Sequence, residues 1–277
     1  MKIILVPINN RSECAVALKQ AFELGKKLRA SIKGCHIRAH DDSVVEFSGA
    51  GSKNKKNYHG AKNNQNAKDF FVYLAEKNDY RVIKKQKSKV RAFWVEEKGC
   101  PEKLFSILGP VSDLIIVSRP TKKGKSLARQ FMLSAILKSA RPVIILPQNE
   151  VSKIGRRICI AWNQSTQAAQ AVAAAIPLLK LANKVSIITC NEETKAGPKA
   201  KRLISYLRSW KIDAKRTVCS GKNDSDALMN GFHKTRSDLM VMGGYSNSKF
   251  KQFLFGGVTD YMLNEANVPV LMLHSPR

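Results

Sequence analysis

The chain is short of acid, of long apolar runs and of closely spaced cysteines, and each shortage closes off a class of protein. Only 21 Asp and Glu stand against 48 Lys and Arg in 277 residues, a formal charge of +27, so polyanions are attracted to it. The opening apolar run, residues 1–6, stops at Pro7. It is too brief for a membrane span or the apolar region of a signal peptide, so it reads as a first strand, and the expected setting is cytoplasmic with no membrane insertion. The six cysteines, Cys14, Cys35, Cys100, Cys159, Cys190 and Cys219, include no C-x-x-C pair and no knuckle spacing. That pattern argues against zinc and for reduced, mostly buried thiols.

Catalytic signatures are missing as well. There is no Gly-x-Ser-x-Gly elbow of a hydrolase. His36 and His40 are four apart, a helical metal spacing, but follow an apolar stretch that reads as a strand; His59, His233 and His274 are isolated. The acid pairs Glu96-Glu97 and Glu192-Glu193 are adjacent in sequence, so their side chains diverge rather than converge on one substrate. No metal and no catalytic residue are expected. Phe93-Trp94 and the pair Tyr206 and Trp210 are spaced like core-facing aromatics, with no stacking platform for bases.

What the sequence has in plenty is basic charge, and it is spread. Residues 1–150 hold 29 basic and 13 acidic residues, and the remainder 19 and 8, which excludes a single basic tail. The densest cluster, Arg81, Lys84, Lys85, Lys87, Lys89 and Arg91, has no interspersed acid. It is the candidate polyanion patch, for nucleic acid or another anionic surface, against the plainer reading of a solvated face.

The sequence also repeats itself. Ile3-Ile4-Leu5-Val6-Pro7-Ile8-Asn9-Asn10-Arg11-Ser12 is echoed by Ile158-Cys159-Ile160-Ala161-Trp162-Asn163-Gln164-Ser165. Each is an apolar strand ending at Asn and entering an Ala-rich helical pattern, 14–28 in one copy and 166–181 in the other, with Ser12 or Ser165 as N-cap. Further on, Ser112-Asp113-Leu114-Ile115-Ile116-Val117 matches Ser237-Asp238-Leu239-Met240-Val241-Met242. Each copy then closes on an X-Pro-Val strand, 141–147 and 268–273. Uninterrupted Ile, Val and Leu runs between helices predict parallel strands covered on both faces. The expected architecture is α/β, two tandem doubly wound parallel-sheet domains of Rossmann-like type, 1–149 and 154–277. Residues 41–68, rich in Gly, Ser, Asn and Lys, are expected to form a long loop.

The segment from Asp238 to Ser246, followed by Phe253-Leu254-Phe255-Gly256-Gly257-Val258-Thr259, closely resembles the signature of the universal stress protein family. That family's ATP-binding members carry a Gly, two residues, a second Gly, nine residues, then a Gly followed by Ser or Thr. Here the spacing is intact, but Ser246 replaces the second Gly and Gly257 the hydroxyl. The opening strands of both copies look like the family's, with Asn163 where an Asp is usual. The resemblance implies a non-enzymatic stress-response protein that binds ATP weakly in its second domain, through Ala161, Trp162, Asn163, Met242, Gly243, Tyr245, Ser246, Gly256, Gly257 and Val258. It also implies self-association, by pairing of the two domains or as a homodimer through the 268–273 edge strand. The first copy is the poorer site: residues 117–126 have no glycine pair at the positions that matter and include Pro120, which has no amide to offer. The alternative, from a different class, is a basic module that docks nucleic acid or another polyanion and takes no nucleotide.

Overall fold

The computed structural model describes residues 1–8, 13–38, 60–82, 91–120, 127–148, 153–190, 193, 196–244 and 257–274. They divide into two compact units, Met1–Arg141 and Pro142–Arg277. The first contains β1 (Ile3–Ile8), α1 (Glu13–Leu28), β2 (Ser31–Arg38), α2 (Gly60–Lys77), β3 (Arg81–Val82), β4 (Arg91–Lys98), α3 (Pro101–Leu108), β5 (Leu114–Ser118) and α4 (Leu127–Lys138). The second contains β6 (Val143–Leu146), β7 (Arg157–Ala161), α5 (Thr166–Leu179), β8 (Lys184–Cys190), α6 (Ala200–Ser209), β9 (Ala214–Cys219), α7 (Asp224–Lys234), β10 (Leu239–Gly243), α8 (Val258–Asn264) and β11 (Val270–Leu273).

In the first unit the strands run β3-β4-β2-β1-β5, each pairing parallel. In the second, β11-β10-β7-β8-β9 are parallel, and β6 adds to the outer edge of β11 antiparallel, with Val270 opposite Ile145 and Met272 opposite Val143. This is the doubly wound α/β design expected from the sequence, with one antiparallel strand. Central strands are buried on both faces, as their unbroken Ile, Val and Leu runs predict: Ile4, Leu5, Val6, Ile158, Cys159, Ile160, Met240 and Val241 are almost entirely shielded from water. Helix α5 covers the second sheet with a stripe of Ala168, Ala171, Val172, Ala175, Ile176 and Leu179, the recurrence of three and four that one helical face requires.

The repeated Ser-Asp pairs have a structural duty. The Asp238 carboxylate accepts from the amides of Gly155, Arg156 and Arg157 at 2.8–3.1 Å. The Asp113 carboxylate likewise accepts from Lys2 N and Ile3 N at 2.6 and 2.9 Å. Each aspartate thus anchors the start of its unit's central strand, β7 or β1, whose first amides have no ladder partner there.

Two expectations are corrected. The loop expected over 41–68 gives way from Gly60 to helix α2. Phe71, Leu74 and Ala75 are buried, and the Phe71 ring meets Phe22 at 5.4 Å, so packing at three-and-four spacing overrides the poor helix propensity of the Asn- and Lys-rich start. The aromatics of α6 face outward: Tyr206 and Trp210 are each 41% exposed, because Ala200, Leu203 and Leu207 take the core face.

Candidate functional site

In the second unit the chain order reverses between β7 and β10: β7 leads outward to β8 and β9, while β10 leads the other way to β11. In a doubly wound sheet, the crevice past the carboxyl ends of such a strand pair is where ligands settle. The register pairs Val241 with Ile160, so Ala161 and Met242 come next along the two strands and Asn163 and Gly243 lie at their exits. Five of the ten candidate residues, Ala161, Trp162, Asn163, Met242 and Gly243, therefore gather at one switch point.

Local chemistry fixes this corner. The Asn163 Oδ1 accepts from Ser165 Oγ at 2.7 Å and from Ser165 N at 3.3 Å. Ser165 is the N-cap of α5, its hydroxyl accepting from Ala168 N at 3.1 Å; this is the cap expected from the sequence. With Ala168 taken by that cap and Ala169 bonded to the Ser165 carbonyl, the amides of Thr166 and Gln167 are those the helix start has left to offer a ligand. Gly243 abuts the same turn: a Cβ there would lie 2.5 Å from Gln167 C and 2.6 Å from Ala168 N. No side chain fits between β10 and α5, so glycine at 243 is first a condition of strand and helix meeting.

Trp162 is buried, and its indole donates to the Pro198 carbonyl at 2.9 Å. It pins the segment ahead of α6 over the strand exit. Two residues here escape a sequence reading. Gln164 is 7% exposed, adopts φ 62° and donates through Nε2 to Gly197 O at 3.1 Å. Gly197 answers it, because a Cβ there would fall 1.8 Å from the Gln164 carbonyl oxygen; the Gly-Pro pair at 197–198 was the available signal. His274, isolated in sequence, follows Leu273, which pairs with Gly243, so its ring belongs to the same end of the sheet. Burial pulls its imidazole below the ordinary value, favouring the neutral ring.

Gly257 and Val258 begin α8. Gly257 has φ 116° and ψ 160° with open space around a would-be Cβ, a backbone region that is essentially glycine-only. Glycine is thus required there by conformation, whereas Gly243 is required by space. Tyr245, Ser246 and Gly256 lie outside the described residues.

At the matching place in the first unit, the exits of β1 and β5, Ser118 and Arg119 stand where the second unit has Gly243 and Gly244. Arg119 is buried, and burial pulls its guanidinium down to about 10. A long buried side chain thus stands where the other copy has Gly244, whose Cβ position is closed by Met272 at 2.9 Å. Of the candidate polyanion patch, Arg81 is exposed and Arg91 half-buried, and the two are direct partners across β3 and β4, where like charges repel. Lys84, Lys85, Lys87 and Lys89 lie outside the described residues.

None of the six cysteines is in a disulfide; Cys35, Cys159 and Cys219 are buried, Cys14 and Cys190 half-buried and Cys100 exposed. Burial pushes Cys35 and Cys159 up to about 12 and Cys190 to about 11, the behaviour of inert packing thiols. Among the described residues no group of three or more His, Cys, Asp or Glu is gathered as for a metal, and no helix is long and apolar enough to cross a membrane.

Comparison with known proteins finds a family model over part of the second unit and solved structures of the same fold. Residues 192–274 match the model of the universal stress protein family. A universal stress protein from Archaeoglobus fulgidus DSM 4304 superposes with TM-score 0.72 at 14% identity, over 98% of this chain and 97% of that one. A protein assigned to the universal stress proteins in Pseudomonas aeruginosa UCBPP-PA14 superposes with TM-score 0.56 at 15% identity, over 99% of this chain and 93% of that one. These two likenesses establish the fold along nearly the whole length. A search of curated proteins by sequence finds no match.

Proposed function

From a chain that carries a universal stress protein domain in its second unit and that family's fold throughout, we propose a cytosolic stress-response protein that binds an adenine nucleotide, ATP foremost, at the β7/β10 exit and turns nothing over. The observation that carries this is the convergence of Ala161, Trp162, Asn163, Met242 and Gly243 on one switch point beside the α5 start. Backbone groups of 161–163 suit the base and ribose edge. The Asn163 side chain already serves the turn into α5, so it adds an amide but no charge. The Thr166 and Gln167 amides, together with the positive end of the α5 dipole, suit the phosphates.

The binding is weak in this reading, because Ser246 replaces a glycine of the family signature and Gly257 replaces its hydroxyl. Binding without turnover is part of this reading; among the described residues the exits of β7 and β10 supply amides, a capping serine and a pinned indole, and the imidazole nearby is buried. Two copies, 1–149 and 154–277, are inferred to descend from one duplicated domain, with the nucleotide site kept in the later one. The β11 edge that would pair with a second molecule already carries β6, so a homodimer would have to use another surface. Equilibrium dialysis against ATP tests the proposal: one equivalent bound per chain in the micromolar-to-millimolar range supports it, and no retention at millimolar nucleotide refutes it.

A further inference from the structure

The opposite end of the same sheet carries a feature that the nucleotide reading does not use. At the amino ends of β7 and β8 an open hollow of about 360 Å³ is lined by Arg156, Arg157, Asn183 and Lys184. Arg156, Asn183 and Lys184 are exposed and Arg157 half-buried. The nearby carboxylate, Asp238, accepts from the backbone amides of Gly155, Arg156 and Arg157, so its oxygens are engaged with main chain. Three cations thus line one concavity, in a unit that is itself strongly basic.

An aromatic stands beside it. Trp210 is 41% exposed at the end of α6, and the Lys180 ammonium lies over its ring, 4.7 Å from the centroid. Asn183 and Lys184 of the hollow follow Lys180 by three and four residues, and β8 and β9 pair from Val185 and Ala214. The loop from Lys180 to Lys184 therefore joins the exposed indole to the cationic hollow. Cations that track a phosphate chain, beside an accessible ring on which a base can stack, form the combination that holds single strands; a duplex keeps its bases stacked inward and would leave the indole unused.

We propose that this amino-end face of the second unit binds single-stranded nucleic acid, with Arg156, Arg157 and Lys184 on consecutive phosphates and Trp210 stacked on a base. The site is independent of the nucleotide site, which lies at the carboxyl ends of the same strands.

Fluorescence anisotropy of the full chain with labelled oligothymidylate and oligouridylate tests it. The pair Arg156→Glu with Lys184→Glu should weaken binding about tenfold or more and lower the slope of log affinity against log salt by about 1.4, two phosphate contacts' worth. Trp210→Ala should weaken binding about fivefold or more with the salt slope kept, and Trp210→Phe should restore most of it. The control pair Lys201→Glu with Lys222→Glu makes the same change in net charge at exposed positions elsewhere, and should leave affinity nearly unchanged. Melting curves of each variant confirm folding. The proposal is overturned if the control pair weakens binding as much as the hollow pair, if duplex competes as well as single strand, if inorganic phosphate or anionic vesicles displace the oligonucleotide at equal phosphate concentration, or if the unmodified chain does not bind at low salt.

Discussion

Asp238 and Arg157 bind each other through the backbone twice over, 81 residues apart: Arg157 N donates to the Asp238 carboxylate at 3.0 Å, and Asp238 N donates to the Arg157 carbonyl at 2.8 Å. Asp113 and Ile3 repeat the exchange in the first unit, at 2.9 Å both ways. The conspicuous Ser-Asp repeat is therefore a clamp on the central strand rather than part of a ligand site. Asp238→Asn retains the shape but loses the charge that three amides share, and should reduce stability by about 1.5–3 kcal/mol. Urea denaturation reads this; an unchanged midpoint would contradict the clamp.

The first-unit clamp also has a pH signature. Burial opposes ionisation of Asp113, but the amides of Lys2 and Ile3, the N-terminal ammonium and Arg141 outweigh it and hold the carboxyl below its ordinary 3.8. A carboxyl lowered in the folded state contributes stability that is full above its unfolded value and disappears as pH falls through the folded one. The stability difference between the native chain and Asp113→Asn should therefore be constant near neutral pH and shrink below about pH 4. A difference that grows on acidification would reverse the sign.

Gly243→Ala examines the contact between β10 and α5. The new methyl would fall on the backbone of Gln167 and Ala168, which cannot swing aside as a flexible side chain does. The first turn of α5 must shift, at about 1–3 kcal/mol of stability. Chemical denaturation with an intact m-value should register this loss, and a fully stable alanine variant would mean the strand and helix are less closely packed.

The parts of this fold legible in the sequence are those where one pattern decides. Unbroken apolar runs marked β1, β5, β7 and β10, and Ser165 ahead of an Ala-rich stretch marked the α5 cap. What escaped depends on neighbours far along the chain. The strands at 143–146 and 270–273 looked alike, and nothing local says that β6 will lie antiparallel against β11. On α6, Tyr206 and Trp210 share a face four residues apart, but so do Leu203 and Leu207, and only packing decides which pair is buried. At the site, the glycine spacing was readable, while the reason for each glycine was not: one is a matter of space against α5, the other of backbone conformation ahead of α8.

That second reason makes Gly257→Ser informative. The substitution restores the family's hydroxyl, yet at φ 116° and ψ 160° it should lower stability by about 1–3 kcal/mol, even though a Cβ there meets nothing within 4 Å. Thermal melting gives the answer, and a serine variant as stable as the native chain would show that the α8 start readily takes another conformation.

Photoaffinity labelling with 8-azido-ATP, followed by peptide mapping, tests the nucleotide proposal most directly. The label should appear on peptides containing residues 161–165 or 242–244, and excess ATP should remove it. Competed label confined to the first unit, or to the Arg156 and Lys184 end of the sheet, would contradict the site.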